Sequence, residues 1–166
     1  MKGHRLFTLV LTVAAWHASA ASNGSVHVTG NLLTSSCSVT SGTNLTYDLS
    51  TAMTDDLPSV DSTTGRQEQN IVLSCDTGVV VYMTINGDHS ANDNTILNNS
   101  GTAQGVGIQL LNVNDNYTPI VMGDRWVLIN STATANTVPI AAQYIRTGTL
   151  ATGTVESSAT YTLDYE

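Results

Sequence analysis

The sequence holds a single lysine, Lys2, and a single phenylalanine, Phe7. Lysine and arginine together number five, against thirteen aspartates and glutamates. A surface so short of positive charge repels phosphate backbones, which argues against a nucleic-acid partner. Cysteine is equally scarce, with Cys37 and Cys75 alone. They form no Cys-x-x-Cys redox spacing and have no Cys or His cluster beside them for a metal. No apolar run beyond residue 15 approaches the roughly 20 residues that a membrane-spanning helix needs. Apolar residues never recur at sustained spacings of three and four, so no helix is expected. Gly-x-Ser-x-Gly, His-Glu-x-x-His and Gly-rich phosphate loops are all missing, and no enzyme activity or cofactor is expected.

The N-terminus carries an address. Lys2, His4 and Arg5 precede an apolar run over residues 6–15, and Ala18-Ser19-Ala20 supplies small residues for a signal peptidase. That order is a secretory signal, too short in its apolar part to be an anchor. Residues 1–20 are expected to leave and residues 21–166 to form a soluble exported chain. Three arginines then face thirteen acidic residues, a net charge of −10. Export makes a Cys37–Cys75 disulfide the expected state, and closing that loop stabilises by about 4 kcal/mol on the entropic model.

Period-two alternation recurs in short runs. Val26, Val28, Gly30 and Leu32 share one face of the first run, with Ser25, His27, Thr29 and Asn31 on the other. Leu45, Tyr47 and Leu49 alternate with polar residues, and Ile71 and Leu73 lead into Cys75. Residues 79–85, 106–112, 126–130, 138–145 and 159–165 complete the expected strands. Clusters such as Asn86-Gly87-Asp88 lie between them and carry turn chemistry. Many short strands at such spacing predict an antiparallel β-sandwich with no internal division.

The two ends are the informative parts. The 21–33 segment, with the cleanest alternation, is either an N-terminal strand of its own sandwich or a strand for another molecule. At the other end Tyr161, Leu163 and Tyr165 alternate up to Glu166, the last residue of the sequence. If the sandwich is one strand short, a groove lies open along that edge, a hazard unless something fills it.

Here the sequence resembles the chaperone–usher pilins, the subunits of type 1 and P pili. The motifs are Val26-His27-Val28-Thr29-Gly30-Asn31-Leu32, Cys37-Ser38-Val39, Ile71-Val72-Leu73-Ser74-Cys75, Gly105-Val106-Gly107-Ile108-Gln109-Leu110-Leu111 and Ala142-Gln143-Tyr144-Ile145. Gly153 at the fourteenth position from the end and Tyr165 at the penultimate one close the pattern. Residues 55–69 and 88–104, where the likeness thins, read as variable loops. The resemblance implies an all-β, incomplete immunoglobulin-like sandwich of six strands over residues 34–166, lacking its last strand. It implies a donor-strand extension over residues 21–33.

A periplasmic chaperone would lend a strand to the groove, and the leader of the next subunit would replace it at an outer-membrane usher. Val26, Val28 and Leu32 would enter apolar pockets of the neighbouring subunit, and Gly30 a shallow stretch. Leu163 and Tyr165 would form the groove edge, and Glu166 would anchor basic chaperone groups. The chain would then be a structural subunit of an adhesive fimbria at the cell surface, meeting a host receptor only through the assembled fibre. The Gly105 stretch resembles adaptor subunits more than rod subunits, though both roles stay open. The rival is a self-sufficient secreted sandwich that binds sugar or protein through its loops.

His27 is expected outward on its strand, and Asp88, His89 and Asp93 form a solvated loop whose spacing matches no calcium loop. No metal site is expected. Trp126, beside Val127, Leu128 and Ile129, is expected in the core, although with the tyrosines it offers rings on which a sugar face could stack.

Overall fold

The computed structural model describes residues 36–166. Val26, Val28, Gly30 and Leu32, and the signal, therefore lie outside the described residues. Strands β1 (Cys37–Ser41), β2 (Thr63–Cys75), β3 (Val80–Gly87), β4 (Ile96–Leu97), β5 (Gln104–Asn112), β6 (Thr118–Pro119), β7 (Arg125–Asn130), β8 (Ala135–Ala151) and β9 (Ala159–Tyr165) follow in chain order. Among the described residues there is no α-helix, only single 3-10 turns at Thr54–Asp56 and Val113–Asp115. One sheet runs β1-β2-β8-β5-β4 with β6 paired to β5; the other runs β7-β3-β9. All pairings are antiparallel.

The alternation explains the layering. Ile71 and Leu73 on β2, Val81 and Met83 on β3, and Val138 and Ile140 on β8 are essentially sealed from solvent. They point into one core between the sheets, and each burial of this kind contributes about 1.5–3 kcal/mol. Trp126 packs against that core from β7, as its apolar neighbours predict. Cys37 and Cys75 stand opposite each other in the β1–β2 register and form the expected disulfide. The bond fixes β1, a five-residue strand with no other partner among the described residues, to the long β2.

Two loop assignments need correction. Residues 63–69, expected in a variable loop, are the first half of β2 and pair with β8 from Thr63↔Ile145 to Gln69↔Ile140. Apart from Thr64 and Gly65, their side chains are exposed, so the backbone ladder and a few surface contacts, such as Arg66 to Gln143 and the Tyr117 hydroxyl to Glu68, hold this half and no apolar periodicity marks it. Residues 96–97, also placed in a loop, are β4, and both Ile96 and Leu97 are buried against β5. Conversely, Leu45, Tyr47 and Leu49 alternate as expected, yet residues 43–49 join no ladder among the described residues.

Candidate functional site

A groove of about 1060 Å³ runs between β9 and the segment 43–49. Its floor is core: Ile71, Met83, Ile85, Ile108, Leu110 and Ile140. Leu45, Tyr47 and Leu49 line one side, and Tyr161, Leu163 and Tyr165 the other. All six side chains are only partly covered, with Tyr165 37% exposed.

β9 lies at the edge of its sheet, and β3 is its only partner among the described residues. Val80 and Glu166 exchange both backbone hydrogen bonds, at 2.8 and 2.9 Å. With the register Val81↔Tyr165, Met83↔Leu163 and Ile85↔Tyr161, bonding pairs must alternate. The N–H and C=O groups of Tyr161, Leu163 and Tyr165 therefore face away from β3, toward the groove. The same three residues present apolar side chains to its interior. An extended segment laid there meets a ladder and a row of apolar contacts at once, which is how strand addition combines affinity with side-chain selectivity.

The opposite wall is hung differently. The Tyr47 hydroxyl donates to the Ile140 carbonyl at 2.9 Å, and the Tyr144 hydroxyl to Leu49 at 3.3 Å. The Tyr161 hydroxyl donates to the Gly42 carbonyl at 2.9 Å, joining the two sides of the groove through one side chain. Burial pushes all three phenols above their ordinary pKa, so they remain protonated donors. Gly42 adopts φ +86° where the chain leaves β1, and a Cβ there would lie 2.5 Å from the Asn70 carbonyl oxygen. Only glycine turns this corner without displacing β2.

Asn99 ties down the segment beside Val155 and Glu156, which line the groove. Its carboxamide donates to the Ala103 carbonyl at 2.8 Å and the Thr154 carbonyl at 3.3 Å, and accepts from the Gly101 and Glu156 amides at 2.8 Å each. This zips residues 99–103 to residues 154–156, part of the groove rim. Gly153, singled out by position alone in the sequence, sits in that zipper, where a Cβ would collide with the Ala103 nitrogen.

The sequence-derived edge residues Leu163 and Tyr165 are thus brought together at the groove, and Glu166 directly follows the same strand. The Glu166 carboxylate side chain accepts a 2.7 Å bond from Arg125 on β7. Arg125 carries no sequence signal beyond scarcity, as one of three arginines after residue 20. Tyr47 and Tyr161 were read as strand residues, and nothing in their spacing announced the hydroxyl contacts. His89 is exposed, its ring bonded to the neighbouring Ser90 carbonyl. The Asp93 carboxyl accepts from the Thr95 hydroxyl and amide, which lower its pKa. Among the described residues no three metal-ligating side chains converge.

Residues 26–166 match the fimbrial protein family. The chain belongs to that family. Its fimbrial relatives include the type-1 fimbrial protein A chain of Escherichia coli, 28% identical over the whole of both chains. The F17 fimbrial adhesins of Escherichia coli are 26% identical over 144 residues. That alignment covers 79% of this chain and 42% of the adhesin, so the chain spans less than half the length of these relatives. Among solved structures, a type I fimbria protein of Burkholderia pseudomallei is 27% identical, with a TM-score of 0.60 over 76% of this chain and 86% of that one. The P pilus rod subunit shares the fold at 17% identity, with a TM-score of 0.61 over 78% of this chain and 99% of that one. The fimbrial chain accordingly has the immunoglobulin-like pilin sandwich.

Proposed function

We propose that this subunit polymerises by donor-strand exchange. The groove between β9 and residues 43–49 accepts a strand, and residues 21–33, freed after removal of residues 1–20, are the strand donated to the next subunit. The observation that carries the reading is the edge of β9, where Tyr161, Leu163 and Tyr165 offer apolar side chains and backbone groups without a partner among the described residues to the same groove. Val26, Val28 and Leu32 would supply the matching apolar side, Gly30 the point without a side chain. Before assembly the same edge would be covered by a strand from a periplasmic chaperone, with exchange at an outer-membrane usher. No catalysis enters this cycle. The fibre, at the cell surface, would be the adhesive unit, with this subunit in its interior as a rod or adaptor component.

The test adds a synthetic peptide of residues 22–33 to protein lacking them. A ligand that binds only the folded form at a thousandfold excess over its Kd stabilises by about 4 kcal/mol. For a domain of this size the expected rise in Tm is roughly 10 °C. No shift with this peptide or with any sister subunit's leader would sink strand acceptance. Unfolding of the protein on deletion of residues 21–33 would instead favour a self-sufficient sandwich.

A further inference from the structure

Arg125 opens β7, the strand on the far side of β3 from the groove, and pairs with Thr84. Its side chain runs over the outer face of the sheet. The guanidinium carbon lies 3.5 Å from the centre of the Tyr82 ring on β3, within cation–π range. Beyond that ring it reaches β9: its Nη2 is 2.7 Å from Glu166 Oε1 and its Nε 3.8 Å from Asp164 Oδ2. Asp164 and Glu166 are the outward residues of the strand end whose alternate members, Leu163 and Tyr165, face the groove. The remaining cations of the described chain are engaged elsewhere. Arg66 bonds Gln143 and stacks on Tyr117, and Arg146 binds the Leu57, Pro58 and Gly148 carbonyls.

We infer that Arg125 is a positioning residue for strand acceptance: a clasp across three strands that holds the end of β9 in register as the template for an incoming strand. This rests on the donor-strand reading above. The physical need is local. An edge strand paired on one side frays first at its end, and here the end supplies the backbone groups that a donor must meet. If the template is ordered for only a fraction of the time, the apparent Kd rises by the inverse of that fraction. Arg125 raises the fraction from outside the groove, without touching the donor.

The experiment uses the full chain as a monomer and a labelled, end-capped peptide of residues 22–33, followed by fluorescence anisotropy at pH 8. That peptide contains His27 and no other titratable side chain, so at this pH it is uncharged and brings no salt dependence of its own. For the unaltered chain, raising NaCl from about 20 to about 500 mM should weaken capture about threefold by screening the clasp. Arg125→Gln should show a similar loss at low salt and a flat salt response, together with faster amide exchange at Leu163 and Tyr165. Asp164→Asn with Glu166→Gln should reproduce both effects, and adding Arg125→Gln to that pair should change nothing further. Capture, salt response and exchange all unchanged in Arg125→Gln would overturn the clasp. So would an Arg125→Gln loss that persists undiminished without the two carboxylates, since stacking on Tyr82 would then be the cause. Failure of the unaltered chain to capture any leader peptide would overturn strand acceptance itself, and the inference with it.

Discussion

Three phenols carry an unusual share of the groove. Tyr47, Tyr144 and Tyr161 donate to main-chain carbonyls along the segment 42–49 or beside it, where no ladder does the same work. An unfolded tyrosine titrates near pH 10.0, and burial raises all three in the folded chain. Above pH 10 the unfolded chain therefore loses these protons first, and the folded form holds more of them. Stability is fully present below that pH and falls as pH rises toward the folded values. Urea midpoints at pH 8 and pH 11 should show the drop, and Tyr47→Phe and Tyr161→Phe should each reduce it. At pH 8 each substitution should cost about 1 kcal/mol, the net worth of one hydrogen bond. An alkaline drop of the same size in both variants and the parent would show that other groups titrate.

Among the elements, β1 leans on a covalent bond. It has five residues, pairs only with β2 among the described residues, and includes the exposed Ser38 and Thr40. The Cys37–Cys75 bond holds it at the point where the wall of the groove begins. Replacing both cysteines by serine should lower stability by about 4 kcal/mol, the entropic value for a loop of this length. Urea unfolding measures it, and a loss well under 1 kcal/mol would mean that the β1–β2 ladder suffices alone. The first half of β2 makes the complementary point. Residues 63–69 have little buried surface and no apolar rhythm, so no local signal told them from a loop; only β8 beside them makes them a strand. Residues 43–49 have the rhythm of a strand and lack a partner among the described residues, because the position beside them is the groove.

For the whole molecule, charge sets the terms of association. With three arginines facing thirteen acidic residues after residue 20, and each of these arginines engaged within its own chain, like subunits repel. Joining them end to end works against that repulsion, which salt screens within about 10 Å at 0.1 M. Self-association of the full chain, followed by light scattering, should therefore accelerate as NaCl rises from about 20 to about 200 mM. A rate that falls over this range would point to attractive charge contacts between subunits instead. This dependence is separable from that of the neutral leader peptide, whose capture should weaken with salt.

By itself the sequence determined what local chemistry can encode: β-strands with one inward face, the single cysteine pair, and a strand over 159–165 with Leu163 and Tyr165 on its apolar side. Alternation and composition are properties of neighbours along the chain, so they can be read there. The tertiary structure alone decided that residues 43–49 face Leu163 and Tyr165 across the groove, because the groove is a relation between β9 and a segment more than a hundred residues earlier. It also decided that Tyr161 bonds Gly42 across that gap and that Arg125 reaches Glu166 over Tyr82. Such contacts depend on which strands the sheet sets side by side, and no spacing within a single strand records that.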